Sequence, residues 1–309
     1  MSIRVLLDTL IVLFGIIAIG YFVTRRGWMS PKVNPKISEL IIKLTLPALI
    51  FGSVFTEETI LSKEEVMNIL LWGFVLYIVL FMLSFLPIYL IKADKEDSGI
   101  YQILLIIANT GFMGYPLFGA LFGPEAIFYA AVLHLPSSIF FFTIGVYIIR
   151  KTMKAEKKEE SVWRSIFSPG TVASLLAIIF FLFNMTLPQP LIDIVKTVGN
   201  ATTPLALLII GSSLTVIPFN SLFKNRRLYF FSFIKLLLLP LFVSLMIKPF
   251  PINYMVRIMI ILSTALPSGS LVVMMASQYG DDTELASSAV FLTTVLSALT
   301  MPLISAIIL

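Results

Sequence analysis

The chain has 309 residues, of which 58% are hydrophobic and 13% are charged, and its mean hydropathy is +0.99. Soluble domains are usually about 45–50% apolar and about 25% charged, so this composition predicts an integral membrane protein with little soluble mass. The absence of cysteine and the single histidine, His134, exclude disulfides, thiol chemistry and multi-histidine metal sites, and the net charge of +5 comes from loops and is not a nucleic-acid signal.

Ten apolar segments follow one another along the chain, and each is close to the roughly 20 residues that a membrane-spanning helix needs. The predicted spans are residues 5–24, 37–55, 66–91, 99–121, 125–149, 169–187, 191–217, 228–247, 254–278 and 284–308. The first is not a signal peptide, because Asp8 interrupts its apolar run and no small-residue cleavage site is evident. The predicted fold class is an all-α integral membrane protein of ten transmembrane helices.

A polar stretch at residues 150–164 separates five predicted spans from the other five. We therefore predict a first five-helix repeat over 1–150, a charged cytoplasmic linker over 151–168, and a second repeat over 169–309. Because each half holds an odd number of spans, the second half enters the membrane upside down relative to the first.

Lysine and arginine are distributed unevenly among the loops. With the central loop placed inside, the inside loops hold 15 of the 22 basic residues, the outside loops and the outer ends of spans hold 5, and Lys43 and Lys235 lie deeper within spans. An excess of positive charge marks cytoplasmic loops. The sequence thus predicts a multi-pass protein of the cell membrane with both termini outside.

The two halves carry matching residues in the same order. Pro47 corresponds to Pro204 at an offset of 157 residues, and Pro116 corresponds to Pro267 at an offset of 151. Several matches at a near-constant offset indicate an inverted repeat.

Glycine and proline interrupt two predicted spans, 99–121 and 254–278, in corresponding places. The first break reads Asn109-Thr110-Gly111-Phe112-Met113-Gly114-Tyr115-Pro116-Leu117, and the second reads Ser263-Thr264-Ala265-Leu266-Pro267-Ser268-Gly269-Ser270-Leu271. Irregular backbone inside a bilayer is tolerated only where protein or a water-filled cavity covers it. Paired interruptions of this kind point to a transporter's binding site, so the sequence predicts a secondary transporter whose site lies where the breaks meet.

Residues 109–117 resemble the Asn-x-Gly-Phe-x-Gly-x-Pro-Leu signature of the auxin efflux carrier family. Further resemblance lies in Leu46-Pro47, Pro267-Ser268-Gly269 and Ala276-Ser277-Gln278-Tyr279-Gly280. The resemblance covers the whole chain, and the short central loop is more similar to bacterial malate and malonate permeases than to plant PIN-formed carriers. It implies that spans four and nine cross at their prolines. It also implies an elevator, in which spans three to five and eight to ten move against a scaffold of spans one, two, six and seven.

The half-helices that follow Pro116 and Pro267 are expected to present their N-termini near the middle of the membrane. A helix N-terminus carries roughly +0.5 charge and free N–H donors, so two such ends favour an anion. The predicted substrate is a small organic anion, such as a dicarboxylate or an auxin-like acid. The predicted substrate-binding residues are Asn109, Thr110, Gly111, Gly114, Pro116, Thr264, Pro267, Ser268 and Ser270. Asn109 is the best placed of them, although Asn, Ser and Thr at a break also serve to cap freed backbone groups.

Ionisable groups within membrane spans are costly and often functional. Lys43, His134 and Lys235 are therefore candidates for charge or proton coupling. The alternatives are that the lysines extend to the membrane interface and that His134 makes a structural hydrogen bond between helices.

Other functions are alternatives to this prediction. A sodium-coupled carrier of the bile-acid type shares crossed helices, but no acidic pair in span four or nine suggests a sodium site. An intramembrane hydrolase using His134 and a serine is a remote alternative, and no Gly-x-Ser-x-Gly element is present. A membrane-embedded sensor is a further alternative, but no signalling domain or long tail that would deliver a signal is evident in the sequence. We expect no enzyme activity, no cofactor and no metal; the expected partners are the organic anion, the lipid bilayer and a second copy of the chain through the scaffold helices.

Overall fold

The computed structural model describes residues 3–55, 62–152, 168–215, 225–273, 276 and 284–308. All regular elements in these ranges are helical, which confirms the predicted all-α class. The linker predicted over 151–168 lies outside the described residues except at its two ends, and so does most of the Ala276 to Gly280 motif.

Nine α-helices are described before the linker. They are α1 (Ile3–Arg25), α2 (Asn34–Leu40), α3 (Leu46–Gly52), α4 (Lys63–Leu83), α5 (Phe85–Ile91), α6 (Lys95–Ile106), α7 (Tyr115–Phe122), α8 (Glu125–Phe140) and α9 (Val146–Thr152).

Seven more α-helices are described after the linker. They are α10 (Pro169–Leu182), α11 (Gln189–Asn200), α12 (Thr202–Ser213), α13 (Arg226–Phe233), α14 (Leu239–Ile247), α15 (Tyr254–Ala265) and α16 (Glu284–Ile308).

Several of these helices join into stretches long enough to cross a membrane. In the described ranges, six such stretches are sufficiently long and apolar: Asp8–Arg25, Asn34–Phe55, Lys63–Ile91, Gln189–Ser213, Arg226–Ile247 and Glu284–Ile307. Large apolar side chains such as Ile11, Leu71, Phe242 and Leu299 are exposed on these stretches, as expected of surfaces that face lipid. The chain is therefore a multi-pass membrane protein.

Three helical segments widen into π-helix immediately before a proline. The π-helical turns Ile41–Thr45, Thr110–Gly114 and Ile234–Leu238 are followed by Pro47, Pro116 and Pro240, each at the second position of the next α-helix. Proline has no N–H and its ring clashes with the carbonyl four residues earlier, so a wider turn relieves both problems without ending the helix.

The helices that carry the interruptions, and α8 beside them, lie in the interior. Residues 99–107 at the end of α6, residues 130–136 of α8 and residues 258–265 of α15 are buried without exception. Interrupted helices need such cover, because an unpaired backbone group in lipid costs several kcal/mol, on the order of an unmade hydrogen bond.

Glycines allow four helices to pack backbone against backbone around this interior. A Cβ at Gly20 of α1 would overlap the Leu208 carbonyl of α12, and a Cβ at Gly211 of α12 would overlap the Ile17 carbonyl of α1. A Cβ at Gly73 of α4 would likewise overlap the Leu133 carbonyl of α8. Helix α3 packs against α10 and α11, so α1, α3, α10, α11 and α12 form one group of contacting helices beside the pair α4 and α8.

Candidate functional site

The first interruption is a short extended segment between α6 and the π-helical turn that begins at Thr110. Ile107 has an extended backbone with φ −92° and ψ 108°, and Asn109 precedes the new helix. The second half-helix therefore begins at Thr110, six residues before Pro116. The expectation that it begins after Pro116 is wrong, because the π-helical turn accommodates that proline inside the helix.

The second interruption follows α15 and places Pro267 in the extended segment itself. Leu266 has φ −60° and ψ 147°, and helical backbone resumes at Leu271. The residue before a proline is pushed out of the helical region by contact with the proline ring, so Leu266-Pro267 ends the helix here.

The two extended segments pair with each other. Ala108 and Ser268 form an isolated antiparallel bridge. The Asn109 amide donates to the Pro267 carbonyl at 2.8 Å, and the Gly269 amide donates to the Ile107 carbonyl at 2.8 Å. A Cβ at Gly269 would lie 2.9 Å from the Ala108 carbonyl oxygen, so the pairing requires glycine there.

Side chains satisfy further carbonyls at the end of α6. A helix C-terminus leaves its last four carbonyl groups without intrahelical partners. The Ile107 amide donates to the Ile103 carbonyl at 2.8 Å. The Ser268 hydroxyl donates to the Leu104 carbonyl at 2.9 Å, and the Lys235 ammonium donates to the Leu105 carbonyl at 3.0 Å. The junction of the two breaks is thus cross-linked by residues from three separate segments.

A cavity of about 330 Å³ opens beside this junction. The residues that line it come from six of the predicted spans: 42, 46 and 50 of the second, 77 of the third, 107–112 and 115 of the fourth, 131, 134, 135, 137, 141 and 146 of the fifth, 168, 170, 171 and 174 at the start of the sixth, and 269–271 of the ninth. A volume of about 300–1,000 Å³ is typical of sites for small molecules.

Asn109 lies in the wall of this cavity and is 3% exposed. Its side-chain nitrogen, Nδ2, is buried and has no hydrogen-bond partner among the described residues. Leaving a buried amide donor unpaired costs about 1–3 kcal/mol. The Asn109 side chain makes no hydrogen bond that caps the new helix, so capping does not explain its presence here. A bound molecule with an acceptor oxygen would satisfy it.

The other predicted substrate-binding residues divide into two sets. Thr110, Gly111 and Ser270 line the cavity with Asn109. Gly114, Pro116, Thr264, Pro267 and Ser268 are buried but do not line it. Thr264 and Ser268 donate to the backbone carbonyls of Ile261 and Leu104, so these two hydroxyls serve the broken helices themselves.

The three ionisable candidates occupy different environments. His134 lines the cavity, and its ring joins the Tyr77 hydroxyl at Nδ1, 2.8 Å away, to the Ser263 hydroxyl at Nε2, 2.9 Å away. Lys235 is fully buried and does not line the cavity. The Lys43 side chain is 65% exposed and pairs with Glu39 at 2.6 Å, so it is not brought to the cavity.

Sequence reasoning did not identify several lining residues. Tyr77 contributes a hydroxyl from α4, and Thr171 and Ser174 contribute hydroxyls from α10. Two features of the sequence could have identified them. Thr171 and Ser174 are small polar residues at helical spacing after the helix start at Ser168-Pro169, and Tyr77 is a tyrosine within an apolar span.

Comparisons with known proteins match this chain over nearly its whole length. The sequence model of a family described as "Membrane transport protein" matches residues 5–305. An uncharacterized transporter of Methanothermobacter thermautotrophicus is 23% identical over 308 residues, covering 97% of this chain and 98% of that protein. The uncharacterized transporter YfdV of Escherichia coli is 22% identical, with 93% of each chain covered. A protein of Rhizobium meliloti named as a putative malonate transporter is 22% identical, covering 93% of this chain and 91% of that protein.

Proposed function

The chain belongs to the membrane transport protein family, and from this membership we propose that it is a secondary transporter that moves a small organic anion by alternating access. The membership confirms the resemblance to the auxin efflux carrier family in residues 109–117. It identifies a transporter and not an enzyme.

The unpaired side-chain nitrogen of Asn109, Nδ2, is the observation that carries the proposal. It lies at the junction of two interrupted helices, in the wall of a cavity large enough for a small acid. Binding at the meeting point of discontinuous helices is the arrangement found in several carrier folds, because irregular backbone offers free polar groups there.

The helix that begins at Thr110 favours a negatively charged substrate. The first N–H groups of a helix have no acceptor within it, and they carry the positive end of the helix dipole. Gly111 and Phe112 of this first turn line the cavity. Glycine leaves the backbone at position 111 open to a ligand, with only the Leu46 methyl 3.4 Å from where a Cβ would lie.

The size of the cavity and the relatives favour a small carboxylate. No lysine or arginine is among the described residues that line the cavity, so a substrate carboxylate would be held by backbone N–H groups, Asn109 and hydroxyls. The relative named as a putative malonate transporter supports short dicarboxylates as the first class to test.

We propose further that the chain crosses the membrane ten times and is built as two inverted repeats, residues 1–150 and 169–309. The bridge between Ala108 and Ser268 supports this, because an antiparallel pair of extended segments has a two-fold axis through its centre. The packing supports it as well. Helix α1 of the first half packs against α12 of the second, and α10 of the second packs against α3 of the first.

The position of the cavity supports a moving-domain cycle. Its lining on one side comes from the second and sixth predicted spans, which belong to the proposed scaffold. Its lining on the other side comes from the third, fourth, fifth and ninth spans, which belong to the proposed transport domain. A site at the boundary of two such groups can be carried from one membrane face to the other when one group slides against its partner. The excess of basic residues in alternate loops supports placing both termini outside.

The proposal is tested by uptake into proteoliposomes of purified protein. We expect saturable uptake or counterflow of at least one acid from a panel of malonate, succinate, malate and indole-3-acetate. The matching amides should compete at least ~10-fold more weakly, about 1.4 kcal/mol, because they lack the charge that the helix N-terminus favours. Equal competition by acid and amide, or no uptake of any acid, would contradict the proposal.

A further inference from the structure

Lys235 is a basic side chain enclosed completely by the protein. It lies on the π-helical turn Ile234–Leu238, is 0% exposed, and ranks among the largest fully buried side chains. Its ammonium donates to the Leu105 carbonyl at 3.0 Å. Among the described residues, no carboxylate lies within ion-pair distance of Lys235.

The acceptor is one of the carbonyls that the interruption frees. Leu105 is the second-last residue of α6, which ends at Ile106 because of the break. The end of a helix carries roughly −0.5 charge, concentrated on its last carbonyl groups. A buried positive charge is costly unless compensated, and here the negative end of the helix supplies the compensation in place of an acidic side chain.

In a carrier with interrupted helices, the C-terminal end of a half-helix is a place where a cation can bind. In such folds, unwound carbonyls and the C-terminal ends of half-helices coordinate the coupling cation. Here the end of α6 already holds an ammonium, and its neighbouring carbonyls at Ile103 and Leu104 accept from Ile107 and Ser268. No group of three or more acidic or histidine residues that could hold a metal ion occurs in the described ranges.

We propose that Lys235 is a tethered cation that fills the carbonyl end of interrupted helix α6 in place of a mobile coupling ion. The carrier then needs no sodium, because the charge that a symporter would recruit from solution is covalently attached. This inference rests on the proposed function of the same site. It also assigns Lys235 a positioning role, since the ammonium binds the end of α6 at Leu105, four residues before Asn109 in the cavity wall.

Replacement of the lysine and chemical rescue test the proposal. Lys235→Ala empties the position, so a small cation can enter it, whereas Lys235→Met fills the same space without charge. Lys43→Ala is the matched control, because it removes another lysine of the predicted spans, one whose side chain is 65% exposed and pairs with Glu39. Two readouts are needed: initial uptake of labelled malonate by proteoliposomes, and the thermal unfolding midpoint of the detergent-purified protein.

Both readouts are taken in buffers whose only cation is N-methyl-D-glucamine, sodium or methylammonium. We expect wild-type and Lys43→Ala flux and unfolding midpoints to be the same in all three. In N-methyl-D-glucamine, Lys235→Ala flux should fall at least ~10-fold, and sodium or methylammonium should raise both its flux and its midpoint. Lys235→Met should stay inactive in every buffer, because a neutral side chain blocks entry of the ion.

Two results would overturn the proposal: wild-type flux that falls when sodium is removed, or Lys235→Ala protein that keeps wild-type flux and stability in N-methyl-D-glucamine. If neither variant folds, the wild-type comparison between cations decides alone. If wild-type protein takes up no acid at all, the proposed function fails, and the cation response of the Lys235→Ala unfolding midpoint still decides the role of Lys235.

Discussion

At the scale of single residues, the site is organised by which polar atoms have partners and which do not. The hydroxyls of Ser263, Thr264 and Ser268 all donate to backbone carbonyls, so they stabilise the interrupted helices. The His134 ring uses both nitrogens on hydroxyl groups, which fixes its orientation in the cavity wall. Asn109 differs from these residues because its buried Nδ2 has no partner in the part of the chain that the structure describes.

We predict that Asn109→Ala lowers transport at least ~10-fold while leaving the unfolding midpoint of the protein without substrate nearly unchanged. The variant removes a donor that is unpaired in the folded protein, so little stability is lost with it. Uptake by proteoliposomes and a thermal melt with and without malonate check this. Asn34→Ala is the control, since Asn34 is also buried but bonds to Ser213 away from the cavity. Full flux in Asn109→Ala would remove this side chain from the site.

At the scale of helices, close packing decides which segments stay together. Gly20 and Gly211 bring α1 and α12 into backbone contact, and the contact allows no extra methyl group on either side. Van der Waals contact of this kind is the main attraction between helices in a membrane, where lipid removes the hydrophobic driving force. The pair α1 and α12 should therefore behave as one rigid unit.

The packing predicts opposite outcomes for two glycines of the same helix. Gly20→Ala should destabilise the protein by about 1–3 kcal/mol, because its methyl group would overlap the Leu208 carbonyl. Gly15→Ala meets nothing within 4 Å and should be neutral or stabilise the helix by up to about 1 kcal/mol. Thermal unfolding in detergent compares the two variants. Equal midpoints would mean that α1 and α12 do not pack this closely.

The sequence predicted the all-helical class and the two interruptions, because both depend on local chemistry, while the ten spans stay a prediction. Apolar length marked the spans, and Gly-Pro clusters marked the breaks at Asn109 and Leu266. It misplaced the start of the half-helix at Pro116, because the π-helical turn that absorbs this proline has no simple signature. It also left the roles of Lys43 and Lys235 open, since the direction in which a side chain points depends on helix packing and not on its position in a span.

At the scale of the whole molecule, the cavity lies between helices of the proposed scaffold and helices of the proposed transport domain. The second predicted span approaches the first interruption there, with the Leu46 side chain 3.4 Å from the Cβ position of Gly111. If the groups slide against each other during transport, this contact must break and re-form in each cycle. A covalent link across it should hold the protein in one state.

A disulfide across the boundary tests this movement. Because positions 46 and 111 both line the cavity, flux is compared with that of the reduced Leu46→Cys/Gly111→Cys variant and not with the wild type. Oxidation should stop the remaining flux of this variant and reductant should restore it, and the chain contains no other cysteine to interfere. Gly52→Cys with Lys196→Cys is the control pair, because these neighbouring positions both belong to the proposed scaffold. Efficient crosslinking of the first pair with undiminished flux would show that the two groups do not slide at this point.

The cross-pairing of the two interruptions also constrains how the protein is made. The end of α6 receives the hydroxyl of Ser268, a residue synthesised 164 positions after Leu104. At a synthesis rate of about 5–20 residues per second, the first half waits roughly 10–30 s for that partner. During this interval its freed carbonyl and amide groups lie in the membrane without their final partners. We therefore expect that the first half alone does not insert stably into the membrane. We also expect that quality control in the cell recognises chains truncated before Gly269 as unfinished.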